Sequence, residues 1–142
     1  MEGKEFFIVA QKLVQMRSEA AIRTAVSRAY YSTFITGRKL LIELGFSLPI
    51  DASVHEQVYR LLHNAGIPDI KDIAASLKNL RIRGVQADYD MDIPDFQSHI
   101  ECEFLIAHAK LMIAQLESCY QQPFRNQLKD GIQTYEQKIK LH

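Results

Sequence analysis

Apolar side chains recur every three or four residues along almost the whole chain, and the alternating pattern of a strand is short and rare. A chain so patterned can bury its apolar side only by packing helices against one another, so the expected fold is all-α. The first stripe, Phe6, Ala10, Leu13 and Val14, predicts a short helix over about residues 3–16. A long second helix follows from Glu19 to Leu44, with Ile22, Ala25, Val26, Ala29, Phe34, Leu40, Leu41 and Leu44 on a broad apolar face. Gly45 suits its left-handed C-terminal cap, and Gly37 within it suits a close helix crossing.

Ser53 and Glu56 have the spacing of a capping box ahead of Val54, Val58, Leu61 and Leu62, and Gly66 and Pro68 end this third helix. The fourth is expected from Asp69 to Leu80 or Arg83, with Ile70, Ile73, Ala74, Leu77 and Leu80 inward, and with Gly84 breaking or capping it. Residues 85–93 read as the main irregular segment. Asp92 and Pro94 then open a fifth helix over about 94–120, whose expected buried face is Ile100, Phe104, Ala107, Leu111, Ala114 and Leu116. Pro123 ends or kinks it. Residues 124–141, with Phe124, Leu128, Ile132, Tyr135 and Ile139, read as a sixth amphipathic helix weakened by Gly131. Short connections between long helices predict an up-and-down antiparallel bundle of four to five core helices plus this C-terminal helix. The whole of 1–142 reads as one domain, with its core at about residues 5–120 and helix 124–141 either peripheral or in a dimer contact.

Composition narrows the function classes. With 47% apolar and 24% charged residues and a formal net charge of zero, the chain is no broadly basic nucleic-acid clamp, although a local basic patch remains open to it. Cys102 and Cys119 lie 17 residues apart on one expected helix. That is about 25 Å of rise, so they read as reduced thiols and not as a disulfide or metal pair. The start, MEGKEFFIVAQKLVQ, lacks a signal-peptide pattern, and no stretch approaches 18 apolar residues. A cytoplasmic chain without a membrane span is the expectation.

Two segments depart from plain core patterning. In Ser27-Arg28-Ala29-Tyr30-Tyr31-Ser32-Thr33-Phe34, Arg28 and Tyr31 share a helix face, and Arg38 falls roughly near it, about 2.8 turns on. A guanidinium beside tyrosines at a packing seam can hold a carboxylate or a phosphate. In Leu80-Arg81-Ile82-Arg83-Gly84-Val85-Gln86-Ala87-Asp88-Tyr89-Asp90, Arg81 and Arg83 complement a helix C-terminus, and Arg–Asp pairing can pin the following turn. The alternative places Arg28, Arg83 and Asp88 on one cleft with Tyr31 and Tyr89. Asp88, Asp90 and Asp92 do not make a calcium loop, since counting from Asp88 puts Ile93 where glycine is required and His99 where glutamate is required. No zinc spacing, phosphate loop or ordered catalytic triad is present, so neither metal nor cofactor is expected.

Arg28-Ala29-Tyr30-Tyr31-Ser32-Thr33-Phe34, followed by Gly37-Arg38-Lys39-Leu40-Leu41, resembles the helix-two signature of HEPN domains, in the small prokaryotic branch that reads Arg-Ala-Tyr-Tyr-Ala-x-Phe. Arg83 to Ala87-Asp88-Tyr89 resembles that branch's Arg-x-x-Ala-Asp-Tyr element with one extra residue, and His55 falls where members carry a histidine at the start of helix three. The resemblance spans roughly residues 20–120. It implies a homodimeric bundle. Many relatives are endoribonuclease toxins of toxin–antitoxin pairs that use an Arg-x(4–6)-His motif, and others act beside a minimal nucleotidyltransferase. This chain departs from the motif, because Arg83 is followed five residues on by Asp88 and the next histidine is His99. An ordinary aspartate neither exchanges protons near pH 7 as an imidazole does nor attracts phosphate.

The leading expectation is therefore a HEPN-like protein without catalysis that binds nucleotide, RNA or a protein partner. Arg28, Tyr31, Arg38, Arg83 and Tyr89 are its candidate contacts. An endoribonuclease using Arg83 with His55 or Asp88 is the enzymatic alternative. A purely structural dimer, or a partner of a nucleotidyltransferase, is the third.

Overall fold

The computed structural model describes residues 2–141. It is all-α, with α1 (Gly3–Val14), α2 (Glu19–Glu43), α3 (Val54–His63), α4 (Pro68–Tyr89), a short 3-10 turn (Pro94–Gln97), α5 (His99–Ser118) and α6 (Phe124–Lys140). No helix among the described residues is long and apolar enough to cross a membrane.

α2 is the hub. Ile22, Ala25, Val26, Ala29, Phe34, Leu40, Leu41 and Leu44 are all buried as the sequence predicts, and α1, α3, α4, α5 and the 3-10 turn each pack on this helix. α1 and α4 run antiparallel to it. Gly3 of α1 lies against Ser32 and Thr36, while Ser27 and Tyr30 of α2 lie against Gly84 of α4. Gly45 at φ +94 caps α2, with the Phe46 N–H donating to the Leu41 carbonyl.

Three expectations need correction. Ser53 does not form a capping box: it has helical φ and ψ, and its N–H and hydroxyl both donate to the Asp51 carboxylate. Gly84 neither breaks nor caps α4, which continues to Tyr89 and leaves only residues 90–93 irregular before the 3-10 turn. A Cβ on Gly84 would meet that of Tyr30 at an ordinary 3.5 Å, so Gly84 lies in the α2–α4 contact without being required by it. Finally, α5 starts at His99 and is rotated from the expected orientation. It buries Cys102, Ile106, Ala109, Met112, Ile113 and Leu116, leaving Ile100, Phe104, Ala107, Leu111 and Ala114 exposed.

One buried charge closes the α2–α4 corner. Arg23 is only 6% exposed; its Nη1 donates to the carbonyls of Gln86, Ala87 and Asp90, and its Nη2 to that of Ile93. Nε donates to Glu19, and the guanidinium lies 4.8 Å from the centre of the Phe96 ring. The Ala87 and Asp90 carbonyls at the end of α4 thus find donors on another helix, and the Gln86 carbonyl, which already accepts the Asp90 N–H, gains a second.

α6 buries only Leu128 and Ile132 and touches α3. At Gly131 an added Cβ would fall 1.9 Å from the Ala65 carbonyl oxygen, so the helix backbone rests directly on the loop before α4. Gly37 differs: its Cβ would meet Leu62, Val58 and Leu116 at ordinary distances of 3.6 to 3.8 Å.

Two outcomes are expected in urea unfolding. Arg23→Ala should lose on the order of 3 kcal/mol, with Arg23→Lys recovering little because an ammonium cannot span the four carbonyls. Gly131→Ala should destabilise or detach α6, whereas Gly37→Ala should be neutral or gain up to about 1 kcal/mol from helix propensity.

Candidate functional site

The middle of α2 carries Tyr30 and Phe34 on the face that meets α3 and α4. His55, in the first turn of α3, stacks on Phe34 with ring centres 4.1 Å apart and planes 20° apart, and on Tyr30 at 5.7 Å. The Tyr30 Oη lies 2.5 Å from His55 Nδ1. Burial raises the Tyr30 pKa far above its usual value, so the phenol keeps its proton. Burial, followed by the positive charges of Arg81 and Arg38, lowers the His55 pKa. The pair therefore joins a protonated phenol to an imidazole whose neutral form is favoured, through one hydrogen bond at Nδ1 whose direction the tautomer sets.

Tyr30 and His55 form one wall of a groove of about 330 Å³ between α3 and α4, lined further by Glu56, Tyr59, Leu77, Lys78 and Arg81. The Lys78 ammonium sits 4.8 Å from the Tyr59 ring centre. Arg81 is half-buried, and Arg38 and Glu56 are exposed. Among the described residues, no carboxylate lies within ion-pair distance of Arg28, Arg38 or Arg81. A flat, apolar slot with unpaired cations near it suits a ligand that is aromatic at one end and anionic at the other.

The residues singled out by sequence fall in different places. Arg28 lies over the rings of Tyr31, at 4.9 Å, and Phe6, at 5.6 Å, with Nη2 3.4 Å from Ser27 Oγ. That hydroxyl donates to Asp88 Oδ2 at 3.0 Å, so Arg28, Tyr31 and Asp88 do share one edge, joined through Ser27. Arg83 does not join them. It pairs with Asp95 at 2.7 Å, donates to Gln86 and lies over Phe96, on the side facing the 3-10 turn. Tyr89 is 81% exposed. His55 meets neither Arg83 nor Asp88, so the three catalytic candidates do not form one constellation.

Arg81, Lys78 and Tyr59 are the residues that sequence reasoning missed. The signal was available in the helical period. Once α4 runs through Gly84, Arg81, Gly84 and Asp88 fall on one face at spacings of three and four, and Arg83 turns away from it. Among the described residues, no group of His, Cys, Asp and Glu side chains could hold a metal ion. Cys102 and Cys119 are free and buried, and His142 lies outside the described residues.

The depressed His55 pKa has a sign that stability measurements can read. Below its unfolded value of 6.5 the unfolded chain binds the proton more readily, so stability falls as the pH drops from 6.5 toward the folded pKa. In thermal melts between pH 7.5 and about 5, His55→Gln should show a smaller acid-side loss than the parent chain. No protein-family model matches the chain, and neither the curated proteins nor the solved structures compared with it yield a match.

Proposed function

We propose that the chain is a HEPN-like binding module that holds a nucleotide or a short stretch of single-stranded RNA without cutting it. Its bases would sit in the α3–α4 groove, and its phosphates would lie along Arg81, Lys78 and Arg38. The observation that carries this reading is the set of arginines without acidic partners beside an aromatic slot. A purely structural role would consume the arginines in ion pairs and caps, as Arg23 and Arg83 are consumed, and Arg81 and Arg38 are not. The groove volume lies at the low end for small-molecule sites and suits one base with its sugar. Stacking against Tyr30 or Tyr59 is tolerant of sequence, as expected of a module without base-specific donors.

The endoribonuclease alternative has less support. Metal-independent cleavage needs a group that accepts the 2′-hydroxyl proton beside one that steadies the phosphate, and His55 is tied through Nδ1 to Tyr30 while Arg83 is paired with Asp95 elsewhere. Asp88 accepts from Ser27 and lies apart from His55.

Fluorescence anisotropy with a labelled single-stranded oligoribonucleotide tests the proposal. Two or three phosphate contacts predict a log–log salt slope of about −1.4 to −2. Arg81→Ala should weaken binding at least tenfold, while Arg83→Gln, which removes a structural pair, should leave it near the parent value. The RNA should remain intact in EDTA. Cleavage that is lost with Arg81→Ala would establish the enzymatic reading instead, and binding indifferent to Arg81 would remove the groove as the site.

A further inference from the structure

α5 is apolar on two sides. Cys102, Ala109 and Leu116, one heptad apart, are fully buried in the core. On the opposite side Ile100, Phe104, Ala107, Leu111 and Ala114 recur at alternating spacings of four and three, and all are exposed. Phe104 is 74% exposed, Leu111 63% and Ile100 56%. Spacing of this kind is the seam of a two-stranded coiled coil, with Phe104 and Leu111 at the a positions and Ile100, Ala107 and Ala114 at d. The patch continues across a groove of about 280 Å³ to Ile8 of α1, also exposed.

The charges flanking the seam choose both partner and direction. Glu103 and Lys110 occupy successive g positions, and Glu101 and His108 occupy successive e positions. Two such helices laid antiparallel bring g against g and e against e. In the register that seats Phe104 over the partner's Ala107, Ile100 meets the partner's Leu111. Glu103 then faces the partner's Lys110, and Glu101 faces the partner's His108, each pair occurring twice by symmetry. The neighbouring antiparallel register, Phe104 over the partner's Ala114, would set Lys110 against the partner's Lys110 and Glu103 against the partner's Glu117. One strip of sequence is thus complementary to itself in size and in charge.

We propose that the outer face of α5 is a self-association surface, pairing antiparallel with the same face of a second copy about a two-fold axis between Phe104 and Ala107. The apolar side chain available from Phe104, Leu111, Ile100 and Ile8 is on the order of 400 Å² per protomer. That is most of the apolar share of a standard homodimer interface of about 800 Å² per partner. The seam is independent of the α3–α4 groove, none of whose lining residues lies on it.

Sedimentation equilibrium tests the surface directly. The parent chain should dimerise, and Phe104→Glu should be monomeric with unchanged helical circular dichroism, because that side chain is already largely in water. Glu103→Lys and Lys110→Glu should each weaken the dimer roughly tenfold, and the double exchange should restore it. A parent chain monomeric at concentrations on the order of 100 µM overturns the proposal and leaves the face to a different protein. A dimer that survives Phe104→Glu, or a double exchange no tighter than the single ones, overturns it as well.

Discussion

Everything on the α2–α4 side hangs on the Arg23 guanidinium. Buried charges are costly unless every donor is used, and here the cation gathers four main-chain carbonyls, the Glu19 carboxylate and the face of Phe96. It supplies donors to the Ala87 and Asp90 carbonyls at the end of α4, and it fixes where residues 90–93 leave the bundle. Beyond that end, α4 packs on Ser27 and Tyr30 of α2 at Gly84, and the groove of Tyr30, His55 and Arg81 opens between this helix and α3.

The basic residues divide into those the fold consumes and those it leaves free. Arg23 caps a helix, Arg83 ties α4 to Asp95, and Arg28 is flanked by Phe6 and Tyr31. Arg81 and Arg38 have neither cap nor carboxylate, and the pKa of the histidine beside them is lowered first by burial and then by their fields. An imidazole stacked on Phe34 and hydrogen-bonded to a phenol makes a flat, fixed wall. That chemistry favours holding a ligand over transforming one.

Much of the bundle was legible in the sequence because period-3.6 patterning records burial. Every residue expected inward on α2, α3 and α4 is buried, although α2 also buries Arg23, Ser27, Tyr30 and three hydroxyl side chains beyond its apolar stripe. It fails at α5 for a physical reason: a helix with apolar residues on opposite sides carries two stripes, and periodicity alone cannot say which meets its own core. The reading of Gly84 as a stop assigned to backbone freedom what belongs to helix contact, and that error hid Arg81 behind Arg83. Arg23 escaped notice because nothing local marks it. Apart from Glu19, its hydrogen-bond partners are more than sixty residues away. The pairing of Arg28 with the Asp88 edge was legible from residue types, whereas the Tyr30–His55 lock depended on how α3 docks.

The contact between Gly131 and the Ala65 carbonyl has a consequence for how α6 finds its place. Its two anchors, Leu128 and Ile132, are one turn apart, so hydrophobic burial alone would tolerate a shift of the helix by a turn along its axis. Such a slide would bring Gln127 or Tyr135 up against that carbonyl in place of bare backbone. The missing side chain therefore acts as a register pin, making one docked position of an otherwise repetitive helix different from its neighbours.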